Sequence, residues 1–165
     1  MGKLAGKVAV VVGGGGGIAS GMTLALAKEG ADIAVVERVA EKGEAVAREV
    51  EKTGVRVLAI ECDITDRAQV DAAVTQIIAE LGKIDVLVNN ATGVTIATSN
   101  LPFIEHTESD FDRIFAVDVK GTVHFMQACY PHFKAQGGGK IINFSSGAGS
   151  ERLAGFAAYS SAKEG

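Results

Sequence analysis

The chain has no tryptophan, and its 165 residues include only two tyrosines, seven phenylalanines, two prolines and two cysteines. So few aromatics argue against a stacking platform for single-stranded nucleic acid. Cys62 and Cys129 cannot build a disulfide framework, and neither stands in the CxxC spacing of a metal site. Both read as small buried hydrophobes of a reducing compartment, which points to a cytoplasmic protein. His106, His124 and His132 form no ligand triplet, so no metal is expected. Positive charge is also short: 16 Lys and Arg against 20 Asp and Glu give −4. Without a basic cluster, nucleic acid and anionic membrane surfaces are poor partners. The opening MGKLAGK lacks the apolar core of a signal peptide, and Gly6 stands where a myristoylation signal has Ser or Thr. Val8 to Ala27 carries no charge and is long enough to span a bilayer. Five consecutive glycines at its centre, Gly13 to Gly17, would make a very poor membrane helix. The stretch reads better as a strand, a glycine turn and a helix.

Glycine is what the chain has in excess, 21 residues where about 7% is usual. The length suits a single domain, residues 1–165. Five short apolar runs punctuate it: Val8–Val12, Asp32–Glu37, Val55–Ile60, Ile84–Asn89 and Lys140–Ser145. Their hydrophobicity is nearly continuous, as strands buried on both faces of a parallel sheet require. Helical patterns lie between them. Ile18–Glu29 is expected to pack through Met22, Leu24, Ala25 and Leu26, and Glu41–Lys52 is charged and amphipathic. Arg67–Leu81 repeats apolar residues at helical spacing behind Asp66 or Thr65 as cap. A long helix is expected from Thr107, through a Thr-x-x-Asp capping box, to about Gln136, bent near Gly121 and Pro131. This alternation predicts a doubly wound, Rossmann-like parallel α/β sheet. After the fifth strand, Ala157–Gly165 begins a helix with no capping sequence beyond it, so the chain reads as stopping short after strand five.

A glycine turn between a strand and a helix lets backbone N–H groups and the helix N-terminus receive a pyrophosphate. Gly13–Gly17 followed by Ile18 and Ala19 occupies that place. Glu37 ends strand two, 24 residues beyond Gly13, near the spacing of an acid that binds ribose hydroxyls and repels a 2′-phosphate. NAD is therefore expected over NADP, although Arg38 directly afterwards works the other way. Asp63 follows strand three, placed to meet an adenine edge. Tyr159 and Lys163 are four residues apart, so on a helix they share a face. An ammonium beside a phenol favours phenolate, which suits the phenol to proton exchange with a carbonyl or alcohol oxygen. Ser145 or Ser146, beyond the carboxyl end of strand five, can hydrogen-bond the same oxygen. The uncharged loop 91–106, with Val94, Ile96, Leu101, Phe103 and Ile104, suits a hydrophobic alcohol or ketone.

Taken together, Gly13–Ala19, Asp63, Asn89-Asn90-Ala91, Asp118-Val119-Lys120-Gly121, Ser146, and Tyr159 with Lys163 resemble the motifs of the short-chain dehydrogenase/reductase family. The order matches over Lys7–Lys163, the N-terminal two thirds of such a protein. The resemblance implies hydride transfer between a nicotinamide and an alcohol or carbonyl carbon. Tyr159 would be the general acid/base, Lys163 would bind the nicotinamide ribose and tune Tyr159, and Ser146 would orient the substrate. Ser146 fits better than Ser145 because it lies 13 residues before Tyr159. Gly13, Gly16, Gly17 and Ile18 would hold the dinucleotide with Glu37 and Asp63, and Ile64, Asn90, Tyr159 and Lys163 would add contacts. A homodimer or homotetramer is implied, through the 107–136 helix and the helix begun at Tyr159.

Four positions depart from the family pattern. Val12 replaces a Thr, Ala19 replaces the last Gly and is expected to put a methyl near the phosphates, and Thr92 replaces the Gly after Asn-Asn-Ala. Asp118 replaces the fourth catalytic residue, an Asn that acts largely through its main-chain carbonyl; reduced activity is expected from the added charge. An inactive nucleotide-binding fragment or a non-enzymatic module of the same fold is the alternative reading. A relative using bound NAD for epimerisation or dehydration is a third.

Overall fold

The computed structural model of the protein describes residues 2–164; Met1 and Gly165, the ends of the two terminal segments discussed above, lie outside the described residues. Strands β1 (Val8–Val12), β2 (Asp32–Glu37), β3 (Val57–Glu61), β4 (Val86–Asn89) and β5 (Lys140–Asn143) form one sheet in the order β3-β2-β1-β4-β5. Every pairing is parallel, in register from Val8 with Asp32 to Asn89 with Asn143. The helices are α1 (Gly17–Lys28), α2 (Ala40–Glu51), α3 (Arg67–Leu81), α4 (Glu108–Phe115), α5 (Thr122–Ala135), α6 (Gly147–Ser150) and α7 (Ala157–Lys163). This is the doubly wound sheet that the apolar runs predict.

The period-two geometry of a strand explains why β1 needs apolar residues throughout. Val8, Val10 and Val12 enter one core with Phe125, Cys129 and residues of α3, while Ala9 and Val11 meet the α1 and α2 side. All five are at most 1% exposed. Burying each valine contributes about 1.5–3 kcal/mol. α1 packs through Ala19, Thr23 and Ala27, spaced by four, with Met22 and Leu26 partly buried beside them. Ala25, expected in that stripe, is exposed. The small residues allow α1 to lie close on the sheet.

Strand ends differ from the sequence reading where side chains capture the backbone. β3 starts at Val57, after Arg56, whose guanidinium bonds Asp32 at 2.7 and 2.9 Å and also reaches the carbonyls of Glu80 and Leu81. β4 starts at Val86, and the side chain of Asp85 just before it accepts from the Val8 N–H and pairs with Lys7 and Lys83. Asp66 caps α3, and the Thr107–Asp110 capping box starts α4, as expected. The long helix is interrupted at Ala116–Gly121, a π-type turn between α4 and α5 that ends at the expected Gly121; α5 continues through Pro131. Such wider turns place a side chain where a regular helix would not. Here that side chain is Asp118.

Candidate active site

β1 and β4 are neighbours in the sheet, but their following connections run to opposite faces. A crevice opens at that point beyond the carboxyl ends of the strands. In this chain it is a cleft of about 970 Å³. Gly13, Gly16, Gly17, Ile18, Glu37, Asp63, Ile64, Asn90, Ser146, Tyr159 and Lys163 all border it. Every site residue expected from the sequence is therefore brought together except Asp118, which lies behind Lys163 on a smaller hollow of about 290 Å³.

The glycine turn is shaped by close approach. Gly13 has φ of +71°, and a Cβ there would stand 2.7 Å from the Ala91 Cα. A Cβ on Gly15 would stand 2.6 Å from the Glu37 side chain. That room lets the Gly15 N–H donate to Glu37 Oε2 at 3.1 Å, while Glu37 Oε1 accepts from the N–H groups of Arg38 and Val39. The acid after strand two is thus tied to the phosphate-type loop. Ala19 corrects an expectation: its methyl is fully buried against Val11 and Val88 and is not part of the cleft lining. Val12 is likewise core, 1% exposed.

Asp63 accepts from the N–H and hydroxyl of Thr65, closing the turn after β3. His124 bonds the Ile64 carbonyl at 2.9 Å and steadies the same turn. Cys62 borders the cleft, but burial, with Asp63 and Asp66 nearby, pushes its thiol up to about 11. It stays protonated and is no nucleophile at neutral pH.

On the other bank, Ser146 caps α6 by accepting from the Ala148 N–H at 3.2 Å, so its own hydroxyl hydrogen remains available. Ser145 instead donates to the Lys163 carbonyl and to Glu164. Tyr159 and Lys163 both sit on α7, with Lys163 Nζ 5.6 Å from the Tyr159 ring centroid. Among the described residues no protein group hydrogen-bonds the Tyr159 hydroxyl. α7 is held by Ala158 and Ala162 against Ile114 of α4.

Lys163 Nζ pairs with Asp118 Oδ1 at 3.1 Å, their side chains 9% and 0% exposed. Asp118 also accepts from the Thr92 hydroxyl and the Gly93 N–H. Its main-chain carbonyl accepts from the Thr122 hydroxyl at 2.9 Å. One lone pair of that oxygen is thus taken while the second can still accept, and the carboxylate touches Lys163 directly. Thr92 and Gly93 hold the Asp118 carboxylate, a role that sequence reasoning did not assign; the departure at Thr92 was the signal. Loop 91–106 corrects another expectation. Of its five large apolar residues only Val94 lines the cleft, while Ile96 and Ile104 are 94% and 90% exposed.

A family model described as short chain dehydrogenase matches residues 7–165. The chain belongs to that family. It is 38% identical to the 12alpha-hydroxysteroid dehydrogenase of a Clostridium species, an alignment covering 100% of this chain and 65% of that protein. Among solved structures, it superposes on an NAD+-bound xylitol dehydrogenase with a TM-score of 0.92 at 33% identity. A 7α-hydroxysteroid dehydrogenase complexed with NADH and 7-oxo glycochenodeoxycholic acid gives 0.89 at 32%. Both superpositions cover 98% of this chain and 61% of the other. The chain thus spans just under two thirds of the length of these short-chain dehydrogenases. No helix among the described residues is long and apolar enough to cross a membrane.

Proposed function

We propose that the chain forms the cofactor-binding and proton-transfer part of an oxidoreductase that moves a hydride between NAD(H) and a secondary alcohol or ketone. The common cleft carries this reading: the glycine turn, Glu37, and the Ser146, Tyr159 and Lys163 group all border one crevice at the strand-order reversal. The donor set fits a dinucleotide. Gly13, Gly16, Gly17 and Ile18 would hold its pyrophosphate, Glu37 the adenosine ribose, and Asp63 and Ile64 the adenine side. Asn90, Tyr159 and Lys163 would hold the nicotinamide side. An anionic acid at the ribose repels a 2′-phosphate, which favours NAD over NADP. The cofactor supplies or accepts the hydride.

The protein's own part is proton handling. Tyr159 gives its phenolic proton to the substrate oxygen in reduction and takes one from the hydroxyl in oxidation. Ser146 donates its free hydrogen to that same oxygen, fixing the carbonyl for attack. α5 carries Tyr130 at 62% exposure and Val123 at 40%, an apolar face through which a homodimer or homotetramer would assemble. The substrate is a small-molecule alcohol or ketone, the setting is the cytoplasm, and residues 1–165 form one domain.

Tyr159→Phe tests this reading. Turnover on a panel of secondary alcohols and ketones should fall by about 10²–10⁴-fold, while NADH binding by fluorescence titration is retained and stays tighter than NADPH binding. Equal turnover would remove Tyr159 from the acid/base role. NADH binding with no turnover in the parent chain would favour a nucleotide-binding module.

A further inference from the structure

Two of the four departures from the family pattern touch each other. Thr92 and Asp118 are far apart in sequence, yet the Thr92 hydroxyl donates to Asp118 Oδ1 at 2.9 Å. The Gly93 N–H donates to Oδ2 at 2.6 Å, and the Lys163 ammonium stands 3.1 Å from Oδ1. Three donors converge on one side chain. A carboxylate answers all three, because both of its oxygens accept. An asparagine would present one NH2 to a donor, either the Gly93 N–H or the Lys163 ammonium. A glycine at 92 would remove the hydroxyl that supports Oδ1. The loop is braced in turn, since Arg113 Nε donates to the Gly93 carbonyl at 3.2 Å.

We infer that Asp118 is a positioning residue, held by Thr92, that keeps Lys163 in a direct ion pair and so offsets the charge Lys163 presents to Tyr159. Lys163 Nζ lies 5.6 Å from the Tyr159 ring centroid, and with Asp118 paired to it the phenol faces an ammonium–carboxylate couple instead of a lone cation. A carboxylate in contact with the ammonium lowers the net positive charge that the phenol faces. The other charged groups on the packed elements are paired with other partners or face solvent, as Glu108 and Asp112 of α4 do. Arg113 of α4 pairs with Asp110, Glu164 after α7 meets the Ser145 hydroxyl, and Glu151 after α6 lies against Gly147. Lys120, on the same π-type turn as Asp118, is exposed. Among the described residues, Lys163 has its one ion pair with Asp118.

The ion pair stands on geometry; its effect on turnover rests on the redox reading above. Competitive acetylation of lysines with acetic anhydride, followed by mass spectrometry across the neutral to alkaline range, separates the two. In the full natural chain, Asp118→Asn should move the pH midpoint of Lys163 labelling down by about one unit, because the ammonium loses its anion. Simple access would change the rate but not the midpoint. Thr92→Val, a milder change that keeps side-chain volume, should move it part of the way, and it carries the test if Asp118→Asn does not fold. Unmoved midpoints in Thr92→Val and in folded Asp118→Asn would overturn the ion-pair assignment. In a second arm, kcat/KM for cyclohexanol oxidation is followed against pH in the parent and in the Thr92→Gly, Asp118→Asn pair. The acid limb should shift down by about one pH unit as the lone ammonium favours phenolate. A fixed limb alongside shifted labelling would overturn the electrostatic link to Tyr159. Absent turnover in the parent would count against the redox reading and leave the labelling result to decide the ion pair.

Discussion

On one bank of the cleft, the glycine turn rests on β1 and β2, whose interior residues are at most 1% exposed. On the other bank, all four residues of β5 are exposed, and α7 leans on α4 mainly through two alanines and Ile114. The cofactor-type bank is clamped on both faces of the sheet, whereas the Ser146, Tyr159 and Lys163 bank has one small apolar contact, with α4, and is otherwise tied by polar links: Ser160 to the Ala148 carbonyl, Ser145 to the Lys163 carbonyl, and the Lys163–Asp118 ion pair. Local opening is cheapest where buried apolar contacts are fewest. Precise placement of Tyr159 therefore depends on a contact remote from its hydroxyl, while the glycine turn inherits rigidity from the centre of the sheet.

Breaking the weaker bank should give the largest effect. Ile114→Ala removes a fully buried side chain and should cost about 2–5 kcal/mol. Amide hydrogen exchange should speed in α7 far more than in β1 and β2; uniform acceleration would mean that the two banks are one cooperative unit. On the firmer bank, Gly13→Ala forces a residue with Cβ into φ of +71° and against the Ala91 backbone. The strain should cost about 1–3 kcal/mol and weaken NADH binding, with exchange in α7 unchanged. A calorimetric unfolding scan with a cofactor titration checks both.

The smallest effect concerns Asp85, which fastens the start of β1 to β4. Burial pushes its carboxyl up, but hydrogen bonds from the Val8 N–H, Lys83 and Lys7 outweigh this and hold it below the usual range. Its contribution is complete above the unfolded carboxylate value of about 4 and fades as acid carries the pH through the lower folded value. Asp85→Asn should cost about 1–2 kcal/mol at neutral pH, with the gap to the parent closing in acid. A gap that stays constant with pH would show that the charge is irrelevant.

How much of this was readable beforehand varied with the physics involved. The strands were legible because burial on both faces leaves nearly unbroken apolar runs, and the Asp66 and Thr107 caps because the bonds they make are local. The start of β3 was not, since the Arg56 N–H is taken by the Asp32 carboxylate, a partner distant in sequence. The Ala19 methyl was misjudged because the sequence shows a methyl but not which side of α1 it faces. Ile96 and Ile104 were apolar yet pointed to water, since loop composition says little about direction. The expected glycine turn, Glu37 and the Ser146, Tyr159 and Lys163 group do border the cleft, but Asp118 lies behind it, and neither the Thr92 lining nor the contact between Thr92 and Asp118 was legible. It depends on the π-type turn, for which the sequence carried no signal beyond Gly121.

The strand order has a consequence for synthesis. β1, β2 and β3 can pair successively as the chain emerges, but β4 must then return to the opposite flank of β1. A nascent chain ending before Asn89 would own the glycine bend and lack the facing wall. The crevice is thus born late, only once the fourth strand docks.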